Sequence, residues 1–139
     1  MTEVSTLRLY LLRASYLLLV VGLGLTIWPL ILHHAPTWER MHSVAACLLG
    51  ALSALSVLGL RYPLRMLPLL LFEVAWKAIW LAAVALPLWL AHRMDAATTE
   101  TAFECLMAAI FLFVIPWGYV YRTYVTAAGD PWGGRAALN

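Results

Sequence analysis

Charge is what this sequence has least of. Only 12% of its 139 residues are Asp, Glu, Lys or Arg, about half the share of an ordinary soluble domain. Lysine occurs once, as Lys77. The formal net charge is +2 and the basic residues form no stripe, which argues against nucleic acid as a partner. Cysteine is equally scarce. Cys47 and Cys105 make no CxxC pair, so neither a zinc knuckle nor a disulfide scaffold is indicated. No two histidines stand at HxxH or HxxxH spacing, no nucleophile motif is visible, and there is no internal repeat.

Apolar length is what the chain has in excess. Hydrophobic residues make up 64% and the mean hydropathy is +0.85, against roughly 45–50% apolar residues in a globular domain. A soluble domain this small has no interior large enough for that much apolar surface. Residues 14–32, 41–60 and 105–121 contain no Asp, Glu, Lys or Arg, and residues 66–91 contain only Glu73 and Lys77. A helix needs about 20 apolar residues to cross the hydrocarbon core. The expectation is therefore an all-α integral membrane protein, with transmembrane helices near 9–32, 42–60, 65–90 and 100–124. The first run is too long for the core of a signal peptide and is expected to stay as a helix.

The intervening segments HHAPTWER, RYPLR and HRMDAATTE are short, with Pro36 a breaker in the first and Thr98 or Thr99 an expected N-cap in the third. Short connections imply antiparallel neighbours, hence a single up-down four-helix bundle over 1–139. The polar, Gly-rich segment 126–139 is expected to be a mobile tail. Arg8, Arg13, Arg61, Arg65, Arg122 and Arg135 fall on one side of such a bundle, and only Arg40 and Arg93 on the other. The positive-inside rule then puts both termini in the cytoplasm of a bacterial-type inner membrane. Seven Trp and six Tyr suit interfacial belts.

Glu73 and Lys77 are the costly residues, because each unpaired charge in a bilayer costs several kcal/mol. Their i,i+4 spacing, Glu first, lets them neutralise each other, and Trp76 and Trp80 share their face. Two readings stay open. In one, Glu73, Lys77, Trp76 and Trp80, with Trp117 from the last helix, line an intramembrane pocket. It would bind or translocate a lipophilic or cationic small molecule or a lipid. In the other, the ion pair is a clasp that fixes helix packing or meets a partner helix. The first reading includes an enzyme as an alternative, with Glu73 and Lys77 as acid and base on an isoprenoid, quinone or other lipid. The second implies an accessory or assembly subunit of a membrane complex.

Weaker signals surround these. His33, His34, His42 and His92 gather on the outer side with Met41, Met94, Glu39 and Asp95 nearby, a donor set that suits a transition metal or haem but has no ligand motif. No cofactor is named by these residues. Cys47 and Cys105 fall at one depth, so a disulfide is open if their helices touch. Ala46, Gly50 and Ala54 give helix two a small-residue face suited to close packing inside the bundle or against a second copy or partner subunit. Pro116 is expected to kink the last helix level with Glu73, and Trp117, Tyr119, Tyr121, Tyr124 and Arg122 to anchor its end. In layout the chain resembles the small multidrug resistance family, whose essential glutamate lies in the first helix. Helix one here has no acid in its span, so the resemblance covers layout and no residue is carried over. A DsbB-like oxidase also has four helices but needs cysteine pairs absent here.

Overall fold

The structure, a computed structural model, describes residues 4–33 and 37–133. His34, Pro36 and Arg135, and the tail beyond Gly133, lie outside the described residues. The described residues are mostly helical, without a strand. Four helices are long and apolar enough to cross a membrane: α1 (Thr6–Leu32), α2 (Arg40–Arg61), α3 (Leu67–Leu90) and α4 (Ala96–Val114). A short helix, α5 (Trp117–Tyr121), follows and runs into a π turn, Arg122–Thr126. Residues 127–133 are exposed and irregular.

Polar residues just outside the apolar runs decide where the helices start. Ser5 Oγ accepts the Arg8 N–H at 3.1 Å, so α1 begins at Thr6, ahead of the apolar run. Glu39 accepts from the N–H groups of Met41 and His42 at 3.0 and 2.6 Å. Asp95, not Thr98 or Thr99, caps α4, its Oδ1 accepting the Thr98 N–H at 2.7 Å. These bonds hold both carboxyls below their ordinary pKa, since each stabilises the charged form.

Prolines shape the rest. Pro68 sits in the first turn of α3, where its missing N–H costs nothing. Pro87 has no N–H for the Ala83 carbonyl and its ring presses on that turn. The turn before it widens to a π turn, Leu81–Ala85, closed by the Leu86 N–H on the Leu81 carbonyl. Pro116 does not kink a continuous helix: α4 ends at Val114 and the chain restarts at Trp117. The cause is the residue before proline, Ile115, driven to an extended ψ of 127°. At the end of α3, His92 adopts φ 56°. Its N–H bonds the Trp89 carbonyl at 3.1 Å and the Arg93 N–H bonds the Leu88 carbonyl at 2.9 Å, a Schellman closure.

α1 and α2 form one antiparallel pair. Arg13 Nε donates to the Leu60 carbonyl at 2.9 Å, Ser53 Oγ to the Val20 carbonyl at 3.2 Å, and Gly50 lies against Ile31 and Trp28. Ala46 and Gly50 are buried in this seam, while Ala54 is exposed. The core draws Leu12, Tyr16 and Leu19 from α1, Leu52 from α2, Leu67 and Leu70 from α3, and Ala108, Phe111 and Ile115 from around the end of α4. It therefore sits at one end of the molecule. Tyr16 is fully buried there and donates its hydroxyl to the Pro63 carbonyl at 2.8 Å.

Candidate functional site

Glu73 lies in α3 just beyond that core, about 9 Å along the axis from Leu67. It is the one acidic residue buried among those described, at 1% exposure. Both carboxylate oxygens are taken. Oε1 pairs with Lys77 Nζ one turn on, and Oε2 accepts the Trp76 indole N–H at 3.2 Å. The Lys77 ammonium also stands 5.5 Å from the Trp76 ring centroid, within cation–π range. The pair is thus satisfied inside one helix. Trp80, a turn further, is half-buried and makes no hydrogen bond to it.

The space beside the pair is on one side of it. A groove of about 650 Å³ opens between α3 and α4, starting at Ala78, the residue after Lys77, and running past Ala82 and Ala85 to Trp89 near the end of α3. Across it stand Ala102, Phe103 and Leu106 of α4, with Thr99 near its Trp89 end. The small side chains of Ala78, Ala82 and Ala85 leave this space unfilled along the widened π turn. Cys105, buried between Ala102 and Leu106 in sequence, lies within electrostatic reach of Lys77 and Glu73. Apart from Thr99 the groove's lining side chains are apolar, and it begins at Ala78, one residue past the buried pair in sequence.

The remaining candidates go elsewhere. Trp117 does not join Glu73. Its indole donates to the Leu112 carbonyl at 2.7 Å, and it lines a separate cavity of about 300 Å³ beside Arg8 and Arg122. His33 closes α1 and is exposed. His42 packs edge-on to Trp38, centroids 5.5 Å apart. His92 fills the left-handed position after α3. Glu39 and Asp95 spend their carboxylates on helix caps. Among the described residues no three His, Cys, Asp or Glu side chains gather as a metal set. Cys47 is exposed on α2 and Cys105 buried on α4, and both thiols are free.

Two features were missed by the sequence reading. The groove is announced only by the alanines and Pro87 of KAIWLAAVALP, a run that otherwise reads as plain apolar helix. The Arg8 side chain had no signal at all. Its Nη1 donates to the carbonyls of Phe113, Val114 and Ile115 at 2.6, 3.0 and 3.4 Å. These are orphan carbonyls at the broken end of α4, and nothing local links residue 8 to residue 113. No protein-family model, curated protein or solved structure matches the chain.

Proposed function

We propose that this is an integral membrane protein of the bacterial inner-membrane type that binds a lipophilic small molecule or lipid in the α3–α4 groove. Its helices cross the bilayer as an up-down bundle with both termini in the cytoplasm, as the Arg distribution favours. One observation carries the binding reading: an apolar groove of about 650 Å³ opens between α3 and α4, within the size range of small-molecule sites. The apolar body of the ligand lies along Ala78, Ala82 and Ala85.

The occupied oxygens of Glu73 favour a structural part for the pair itself. Glu73 and Lys77 fix α3, and the specificity for apolar length comes from the alanine wall. An acid–base role for Glu73 has less support, because its carboxylate oxygens already serve Lys77 and Trp76.

The test is photolabelling of the protein in lipid with a diazirine-bearing isoprenoid alcohol. Saturable labelling is expected on peptides spanning 78–89 and 99–106. Ala82→Phe fills the groove and is expected to lower that labelling about tenfold, the scale of excluding one or two methylene-sized contacts, while melting stays unchanged. Non-saturable labelling spread evenly over the four helices, as bulk lipid contact gives, would overturn the proposal.

A further inference from the structure

The connection between α2 and α3 carries positive charge that the groove does not use. Arg61 is the last residue of α2, and Arg65 stands two residues before α3. Both are drawn to one side chain that lies between them in sequence. Their guanidinium carbons stand 5.4 and 5.5 Å from the Tyr62 ring centroid. Arg13 of α1 reaches the same connection, its Nε donating to the Leu60 carbonyl at 2.9 Å. No ion pair joins any of these three arginines to an acid among the described residues.

The backbone beneath them is fixed. Pro63 is buried, and its carbonyl accepts the Tyr16 hydroxyl at 2.8 Å. The Tyr62 N–H bonds the Leu58 carbonyl at 2.8 Å, and the Tyr62 carbonyl accepts the Met66 N–H at 3.1 Å. The ring is therefore anchored at its base, and each guanidinium is held by a ring contact that uses none of its N–H donors. Arg61, Tyr62 and Arg65 are all exposed, so those donors can be reached from outside.

The positive-inside rule asks only for charge on this side of the membrane. It does not ask that two guanidiniums share one ring, or that the turn carrying them be tied to α1. A planar fork of donors suits the oxygens of a phosphate, which it meets in pairs, and a phosphate has oxygens for more than one fork. Two candidate spans end at this connection, Arg40–Arg61 on one side and Leu67–Leu90 on the other. Helices that cross a bilayer over those lengths hold the connection at the level of the lipid headgroups. Because no acid offsets the three charges here, the complementary lipid is one of net negative charge.

We infer that Arg61 and Arg65, set on Tyr62 and backed by Arg13, bind the headgroup phosphate of an anionic phospholipid. The inference rests on the membrane placement proposed above and not on the groove. Binding weakens as salt rises, because the site is open to solvent.

The experiment is native mass spectrometry of the full chain in neutral detergent, with dioleoyl-phosphatidylglycerol or dioleoyl-phosphatidylcholine added. Saturable retention of phosphatidylglycerol in preference to phosphatidylcholine is expected. Arg61→Gln and Arg65→Gln are each expected to weaken that retention about tenfold, the scale of one hydrogen bond to a charged group. Tyr62→Leu keeps every charge but removes the ring, and is expected to weaken it about threefold, the scale of one exposed cation–π contact. Arg93→Gln, which removes a charge at the other end of the molecule, leaves retention unchanged. Equal retention of the two lipids, unchanged retention in Tyr62→Leu, or an equal loss in Arg93→Gln overturns the inference. Displacement of the lipid by inorganic phosphate at the same concentration would assign the site to the free anion and overturn the lipid assignment. Incorporation into phosphatidylcholine nanodiscs checks the membrane placement separately. A chain that fails to enter them overturns both the placement and the lipid site. A chain that enters them but shows no preference for phosphatidylglycerol overturns the lipid site alone.

Discussion

Glu73 and Lys77 are unequal partners, and the inequality is measurable. The Glu73 side chain is 2% exposed and that of Lys77 18%. Lys77→Met strands a carboxylate that has no route to solvent, with one indole N–H left to it. Removing one member of a buried pair costs about 3–5 kcal/mol, and this variant belongs at that end. Glu73→Gln leaves an amide that still accepts from Trp76 and an ammonium that can lean outward over the ring, so its cost is smaller. Replacing both, as Glu73→Leu with Lys77→Met, leaves no stranded charge and is expected close to neutral, within about 1 kcal/mol, because a buried pair roughly repays its own desolvation. Unfolding in detergent by a titrated denaturant measures all three. A double variant as damaged as the sum of its singles would show that the two charges are not coupled. The pair was legible in the sequence because an i,i+4 acid and base in an apolar helix have few other options. The tryptophan bond was half-legible: helical spacing brings Trp76 and Trp80 to the face, but only the side-chain rotamer selects Trp76.

At the scale of elements, the close approach of α1 to α2 turns on one glycine. Gly59 lies flat against the Tyr16 ring, and a Cβ there would overlap ring atoms. The ring cannot retreat, since it is fully buried and its hydroxyl is tied to the Pro63 carbonyl. Gly24, in the middle of α1, has nothing within 4 Å of the same construction. Gly59→Ala is therefore expected to destabilise by at least about 1–3 kcal/mol, the usual cost of overpacking. Gly24→Ala is expected to stabilise by about 0.5–1 kcal/mol through helix propensity alone. The same denaturant titration ranks them, and equal effects would mean that α1 and α2 do not pack as described. Sequence reading found the small-residue face of α2 at Ala46, Gly50 and Ala54 with Ser53 and Ser56 nearby; Ala46, Gly50, Ser53 and Ser56 are buried, Ala54 is not, and the buried Gly59 was missed. Helix existence was readable because apolar length maps directly onto helix rise. Helix ends were not, because Ser5, Glu39 and Asp95 act from outside the apolar runs, and because Pro116 acts through the residue before it.

For the whole molecule, the arginines and the core agree on direction. Arg8, Arg13, Arg61, Arg65 and Arg122 are all at the end where the core closes, and four of them are tied into it or stacked there: Arg8 holds the carbonyls at the end of α4. Arg13 holds the Leu60 carbonyl, and Arg61 and Arg65 stand 5.4 and 5.5 Å from the Tyr62 ring centroid. Arg40 and Arg93 mark the other end, toward which the α3–α4 groove runs. A chain inserting by the positive-inside rule would keep the tightly packed, arginine-rich end in the cytoplasm and direct the groove's open end outward. Such a groove takes its ligand from the outer half of the bilayer. Single cysteines test this in intact cells, in a Cys47→Ser, Cys105→Ala background. A membrane-impermeant maleimide is expected to label Thr37→Cys and Ala91→Cys without lysis, and Tyr62→Cys and Ala127→Cys only after it. The reverse pattern would invert the orientation and move the groove mouth to the cytoplasmic leaflet. Labelling of Thr37→Cys but not Ala91→Cys would sink the four-span arrangement itself, since α2 and α3 together must return the chain to the side it left.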